Sequence, residues 1–404
     1  MTGSDRNRSD HADKRLIWHL SADFPDSIDP HKTIVIRTLL EMTGHDYAHH
    51  VISLNRRSPG MVGLARTFLT GAGTGEKALA PCAFEWGECL TYQAPPRGLL
   101  HRTCLERLAD ALAQRHRSTP PPALICGHKL TVEGIVAERL ARKLEVPFAL
   151  TIQGDTDTKI IAARPDLTPL FRRIFHSAAH VTVFAPWSRD WIEARLGPRH
   201  GPTALIPCPT ELDQPLAPQA GGSGLVSLFH LKSHQRKNLA GMAKALRLLA
   251  ARGSAPTLTI YGGGSPADLA AARASTGDAP GLSFGGPLQR HEVAERINQA
   301  AGFVLPSRRE SFGLVFIEAL FAGLPIIYPK GQAVSGYFDD APFAIAVPAN
   351  APEALASAMA RLMREEAAMK AALAKWQKSR DAARFQRPAI RRAYGAALAA
   401  ALRQ

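Results

Sequence analysis

A chain of 404 residues exceeds one ordinary core and suits two α/β domains of roughly 150–200 residues each. Apolar residues make up 46% of it and charged residues 21%, which excludes a disordered or low-complexity protein. The formal net charge of +14 is uneven: residues 216–404 hold 23 Lys and Arg against 12 Asp and Glu, and residues 1–215 hold 26 against 23. No helix-turn-helix, zinc-knuckle or arginine–aromatic pattern accompanies that field, so an anionic small molecule is expected rather than a nucleic-acid partner.

In chain order, residues 1–14 are polar, lack the apolar core of a signal peptide and are expected as a disordered tail. No apolar run reaches the ~18–20 residues of a membrane-spanning helix, so a cytoplasmic chain is expected. Short apolar, β-branched runs then alternate with amphipathic stretches, the pattern of parallel sheets wound by crossover helices. Strands are expected over 16–20, 51–54, 123–126, 148–152, 181–184 and 204–206, and helices over 33–42, 99–115, 132–144, 167–176 and 187–196. Between 59 and 96 glycine, proline and aromatic residues break any period. Gly71-Ala72-Gly73-Thr74-Gly75 in that stretch fails the spacing of a dinucleotide fingerprint and reads as a flexible loop. Residues 207–224, rich in proline and glycine, read as the join between two domains.

A second series follows, with strands over 225–231, 258–261, 282–284, 303–305, 326–328 and 345–347 and helices over 239–252, 267–274, 292–299, 312–321 and 352–363. The expected organisation is a first domain over 15–208, a linker over 209–223, a second domain over 224–380, and a C-terminal helix over 381–404 packing back on the first domain. Cys82, Cys89, Cys104, Cys126 and Cys208 are odd in number, scattered and without metal-ligand spacing, so neither a disulfide framework nor a zinc site is indicated.

Residues 303–320, FVLPSRRESFGLVFIEAL, place a buried strand, a polar turn and a helix start in succession. The free amides at a helix start and its dipole suit a phosphate, and Gly313 lets a ligand approach the main chain. Glu310 precedes the helix and Glu318 lies about two turns inside it. Phe316, Ile317, Leu320 and Phe321 flank Glu318, and an ionised carboxylate there is costly unless donors such as ribose hydroxyls reach it. By spacing alone, two solvated carboxylates near a helix N-terminus explain the pair as well.

The run PSRRESFGLVFIEALFAGLP, continuing through Gly323 and Pro325, resembles the PSxxExFGLVxxEAxxxGxP hallmark of the retaining GT-B glycosyltransferases of family 4, also called group 1. The resemblance implies an α/β chain of GT-B class, with two Rossmann-like doubly wound parallel-sheet domains facing across a cleft. It implies transfer of a sugar from a nucleotide-diphosphate sugar to a saccharide or lipid-linked acceptor, with retention of configuration, in cell-surface polysaccharide or glycan synthesis. No resident cofactor and no metal are implied. Carried over by position, the catalytic Glu310 meets hydroxyls of the donor sugar and Glu318 those of the ribose, while Ser311, Phe312, Gly313 and Leu314 line the sugar and phosphate. Lys237 fits the family's basic loop, where His230 stands in place of an Arg and Lys232 or Arg236 substitutes. Gly262 and Gly263 resemble the family's glycine turn, and Leu288 belongs to the segment beside the nucleobase. A solvated basic loop and a tight turn are the plain readings of these last segments.

The first domain departs from the family. Residues 21–32, SADFPDSIDPHK, hold no glycine where a Gly-Gly loop usually meets the diphosphate, so His31 or Lys32 is expected to do that work. Gln153 stands where the family often has His; it can bond a sugar hydroxyl but cannot shuttle a proton. His128 matches a strand-terminal His of the family and is expected at the cleft with a catalytic role, or as a structural histidine bonding a neighbouring loop. Asp155-Thr156-Asp157 spells the metal-binding DxD of the other glycosyltransferase fold, and Asp155 is read instead as a loop or acceptor contact. A sugar-nucleotide-binding protein without transfer and a GT-B epimerase or phosphorylase are the alternatives. The basic C-terminal segment adds an expectation of peripheral contact with the inner face of the membrane.

Overall fold

In a computed structural model of the chain, the described residues are 14–58, 80–95, 98–254 and 256–404. The tail expected over 1–14, except Lys14, and the glycine-rich loop at 71–75 lie outside them. The chain divides into two units: one of Met1–Phe184, Ser188–Ile206 and Ile390–Gln404, the other of Ala185–Trp187 and Pro207–Ala389.

The first unit contains β1 (Leu16–Ser21), β2 (Ala48–Arg57), β3 (Ala80–Phe84), β4 (Gly87–Gln93), β5 (Leu124–Gly127), β6 (Phe148–Ile152), β7 (His180–Val183) and β8 (Thr203–Leu205). They form one sheet in the order β3-β4-β2-β1-β5-β6-β7-β8, parallel throughout except for the β3–β4 pair. Every residue of β5, β6 and β7 is buried, as expected of parallel strands shielded on both faces. On one face, α2 (His101–Arg115), α3 (Glu133–Leu144) and α5 (Thr168–Ser177) add Leu105, Leu108, Ile135, Val136, Phe171 and Ile174 to a continuous apolar core. Tyr394, Ala397 and Leu398 of α13 (Arg387–Ala401) lie against Cys126, Ala149 and Thr182. The remaining helices here are α1 (Val35–Thr43), α4 (Asp155–Ala163) and α6 (Pro186–Leu196), the last beginning in the other unit.

Two stretches hold elements that the sequence reading lacked. The aperiodic stretch before residue 96 contains the β3–β4 hairpin, which extends the sheet past β2. Gly87 permits this: at φ +145° it faces Val51, and a Cβ there would stand 2.4 Å from the Val51 carbonyl oxygen. Residues 155–163, given no element from the sequence and with Asp155 read as a loop or acceptor contact, form α4, with Asp155 and Asp157 in its first turn, where carboxylates suit the positive end of the helix.

The second unit holds β9 (Leu225–Leu228), β10 (Leu258–Tyr261), β11 (Leu282–Gly286), β12 (Gly302–Val304), β13 (Ile326–Pro329) and β14 (Ala344–Val347), all parallel, in the order β11-β10-β9-β12-β13-β14. Its helices are α7 (Leu239–Ala251), α8 (Pro266–Thr276), α9 (Val293–Asn298), α10 (Leu314–Phe321), α11 (Pro352–Gln377) and α12 (Arg380–Ala383). In both sheets the winding direction reverses once, between β1 and β5 and between β9 and β12. The carboxyl ends of strands at such a reversal flank a crevice, the usual ligand position of open α/β sheets.

Candidate functional site

At the second reversal, β9 runs into residues 229–238 and β12 into residues 305–313, so the sequence motif stands at the crevice. Gly313 caps α10 in the left-handed region, at φ +73°. A Cβ at that position would lie 2.7 Å from the Phe316 ring and 3.1 Å from Glu310 Cγ, so the turn requires glycine. The amides of Phe312, Gly313, Leu314 and Val315 find no protein acceptor among the described residues. The first turn of α10 therefore presents a set of unclaimed donors at the positive end of its dipole.

Glu310 is held from both sides of its Cα. Its carboxylate pairs with Lys237 Nζ, and the two side chains are only 11% and 12% exposed. Its amide donates to Gln332 Oε1 at 2.9 Å, while Gln332 Nε2 donates to the Arg308 carbonyl at 3.2 Å. One side-chain amide thus clamps the turn on either side of residue 309. Asn238, itself left-handed at φ 61°, donates to the carbonyls of Pro306 at 3.1 Å and Ala349 at 2.7 Å. Trp187 Nε1 donates to the carbonyls of Ser311 at 3.1 Å and Ala333 at 3.0 Å. Of the cations expected to face an anion, Lys237 is shared with Glu310, while Lys232 and Arg236 are exposed.

Gly262 makes a close approach that no other residue would allow: at φ +155°, a Cβ would sit 1.8 Å from the Phe229 carbonyl oxygen. Gly263 has nothing nearer than Pro287 Cβ at 3.9 Å, and Leu288 is half-buried just beyond β11. Glu318 is half-buried in α10, and its carboxylate has no hydrogen-bond donor among the described residues. Burial, and then the charge of Glu211, push it up to about 7, against the pull of Arg290, which bridges Glu211 at 2.6 Å. Keeping it ionised above that pH costs the folded unit on the order of 3 kcal/mol relative to an exposed glutamate.

In the first unit, the residues expected near a ligand divide. His128 is fully buried, with Nε2 3.0 Å from His19 Nδ1 and Nδ1 3.2 Å from Thr151 Oγ1. His19 Nε2 continues to His49 Nδ1 at 3.0 Å, and His49 Nε2 to Thr43 Oγ1 at 3.1 Å. The Thr43 hydroxyl donates to the Leu39 carbonyl, so it accepts from His49, and neutral rings donating in one direction then satisfy every nitrogen from Thr151 to Thr43. Burial holds His128 down to about 3 and His49 to about 4. His128 is a member of this internal chain and has no face for a substrate, which corrects the expectation of a cleft residue.

Lys32 is likewise engaged. Its ammonium lies 2.8 Å from the buried Asp26 carboxylate, which also accepts from Ser53, from Asn55 at 2.8 Å and from the amides of Ile28 and Asp29. Asp26, held well below the usual carboxylate range by Lys32 and these donors against the opposing effect of burial, organises the loop in place of a glycine turn. Lys32 therefore supports that loop, while His31 beside it is exposed. Gln153 donates to the His128 carbonyl at 2.7 Å and is half-buried at the end of β6; Asp155 opens α4. Sequence reasoning missed Asp26, Gln332 and Trp187. Only Asp26 carried a local signal, a carboxylate two and three residues ahead of the amides it caps. No cluster of three or more His, Cys, Asp or Glu side chains placed to hold a metal ion occurs among the described residues.

Residues 224–365 match the family model described as glycosyl transferases group 1. Over 77 residues the chain is 44% identical to a D-inositol 3-phosphate glycosyltransferase of Jonesia denitrificans, a stretch spanning 18% of each protein's length. Sucrose-phosphate synthase from Thermosynechococcus elongatus has the same architecture, with a TM-score of 0.67 at 22% identity over 95% of this chain and 98% of that one. HepE of Anabaena, solved in complex with UDP and glucose, aligns with a TM-score of 0.63 at 13% identity over 96% and 99%. These structural likenesses show the fold, which is GT-B.

Proposed function

We propose that this chain, a GT-B protein whose residues 224–365 belong to the glycosyl transferases group 1, moves a sugar from a nucleotide-diphosphate sugar to a saccharide or lipid-linked acceptor with retention of configuration. The observation that carries the reading is Glu318: a half-buried carboxylate without a donor, on a helix whose first amides are unclaimed. Ribose hydroxyls supply the missing donors and relieve the cost of the buried charge. The amides of Phe312, Gly313 and Leu314 then lie toward the sugar and phosphate, and Gly262 and Gly263 border the nucleotide.

As the glycosidic bond to the diphosphate breaks, negative charge grows on the leaving group. The helix dipole, the amides and the Lys237 ammonium are fixed donors for that charge. Glu310, oriented by Lys237 and Gln332, meets a hydroxyl of the transferred sugar. With no enzymic nucleophile assigned, the acceptor attacks on the face that the diphosphate leaves, and the departing phosphate takes its proton. Among the described residues, no helix is long and apolar enough to cross a membrane; an acceptor on a lipid would be met by peripheral contact of the basic C-terminal half with the inner membrane face. The first unit takes the acceptor at the β1–β5 reversal, near Gln153 and His31. Assembly of a cell-surface polysaccharide or glycan, in the cytoplasm and without a metal, is the setting this reading implies. The UDP bound in HepE makes UDP sugars the first donors to try.

The test is a panel of UDP, GDP and ADP sugars, scored by thermal shift and by transfer of labelled sugar to saccharide and lipid-linked acceptors. At least one donor raises the unfolding temperature and is consumed only with an acceptor present, and Glu310→Gln abolishes transfer while still unfolding cooperatively. Normal turnover by that variant, or a panel in which no donor binds, refutes the proposal.

A further inference from the structure

Cys82 and Cys89 stand on the two strands of the β3–β4 hairpin, and the antiparallel register sets them directly opposite one another. Opposed residues in such a ladder hold their Cα atoms about 4.5–5.5 Å apart, inside the roughly 4.4–6.8 Å that a disulfide spans. Cross-strand partners also share a face of the sheet. Both sulfurs there share one neighbour: Ser27 Oγ lies 3.2 Å from Cys82 Sγ and 3.3 Å from Cys89 Sγ. The Cys89 thiol itself reaches the Cys82 carbonyl oxygen at 3.1 Å. Both thiols are free; Cys82 is exposed, whereas Cys89, Cys104, Cys126 and Cys208 are all buried.

We propose that Cys82 and Cys89 form a reversible modification site, at which a small-molecule disulfide oxidises the opposed thiols to a bond across the hairpin. The Cys82 thiolate attacks one sulfur of the reagent, forms a mixed disulfide and releases the first reagent thiolate. Cys89 then loses its proton to solvent, its thiolate attacks the Cys82 sulfur, and the second reagent thiolate leaves. The two protons given up by the protein go to the two leaving thiolates, so one dithiol and one small disulfide become one protein disulfide and two small thiols. The order follows from access: the reagent meets Cys82, whereas burial and the neighbouring Cys82 thiol push the Cys89 thiol up and leave it the resolving partner.

The bond has a reader. Ser27 is the residue next to Asp26, whose carboxylate holds the amides of Ile28 and Asp29 at 2.8 Å each and the Lys32 ammonium at 2.8 Å. Oxidation removes both S–H groups from the Ser27 hydroxyl, so the redox state of the hairpin reaches the loop at the carboxyl end of β1 that also carries His31.

The full chain, reduced and then exposed to oxidised glutathione, tests this by intact mass and by peptide mapping without reductant. The expected first product is a chain lighter by two hydrogens with the peptides of Cys82 and Cys89 linked, returned to the starting mass by dithiothreitol. Cys89→Ser accumulates the glutathione adduct on Cys82, and Cys82→Ser leaves Cys89 reduced over the same time. A stable glutathione adduct on Cys82 in the unaltered chain, or a Cys82-linked dimer in place of the internal bond, overturns the proposal.

Discussion

With Glu318 taking the ribose hydroxyls as proposed, its raised carboxyl makes nucleotide binding depend on pH in a direction that can be worked out in advance. With the group at about 7, it is roughly one-tenth ionised at pH 6 and nine-tenths at pH 8. Only the carboxylate accepts from both hydroxyls of a ribose, so affinity climbs as pH rises through 7 and levels off above it. The span is about tenfold between pH 6 and 8, or ~1.4 kcal/mol. Titration of UDP by calorimetry at pH 6, 7 and 8 measures it. The terminal phosphate of UDP titrates in the same range, so the informative quantity is the difference from Glu318→Gln, whose affinity lacks that tenfold component. Glu211→Gln removes the second cause of the shift and moves the inflection to lower pH. Stability carries the same proton in the opposite sense. The folded state holds this proton between about 4.5 and 7 and the unfolded chain does not, so unliganded wild type loses stability relative to Glu318→Gln as pH rises across that window, by on the order of 3 kcal/mol. Identical pH slopes for the wild type and Glu318→Gln, in binding and in stability, would refute the reasoning.

The neutral histidine chain predicts the opposite trend in the first unit. His19 and His128 are buried with their proton affinity lowered, so below pH 6.5 the unfolded chain takes up protons that the folded one refuses. Their contribution is complete above 6.5 and shrinks toward the folded values; for His128, held to about 3, the loss between pH 6.5 and 5 is about 1.5 kcal/mol. Denaturant unfolding at the two pH values should show a loss smaller by about that amount in His128→Gln, and equal losses would contradict the chain. Gly262→Ala places a methyl 1.8 Å from the Phe229 carbonyl and is expected to cost about 1–3 kcal/mol of stability, whereas Gly263→Ala, with its nearest neighbour at 3.9 Å, should cost far less; thermal unfolding of the two variants compares them directly. Gln332→Ala frees the Glu310 amide and should lower kcat more than it raises KM, with Gln332→Glu restoring little because it cannot donate to Arg308. A KM effect alone would assign Gln332 to binding.

The parts of this molecule that could be read in advance are those whose physics is contiguous in the chain. Parallel strands announce themselves as short, largely apolar runs such as Phe148–Ile152, and the crevice turn is strand, turn and helix within a single stretch ending at Phe321. Glu318 stood out because a carboxylate interrupts the apolar run of Phe316, Ile317, Leu320 and Phe321, although the charges that act on it, Glu211 and Arg290, come from elsewhere in the chain. What could not be read depends on partners far along the chain. His128 ends its strand as expected, but the direction of its ring is decided by His19, 109 residues earlier. The β4 strand carries no clean period, and its place is set by pairing with β2 on one side and β3 on the other and by a glycine against Val51. The cysteines make the same point more sharply. Seven residues apart, Cys82 and Cys89 match no motif spacing; a hairpin turn between them converts that separation into direct opposition, and a serine from a different loop marks the contact. Chemistry that depends on a pairing register is therefore invisible to spacing rules, and the hairpin that local periodicity failed to reveal is the one that carries it.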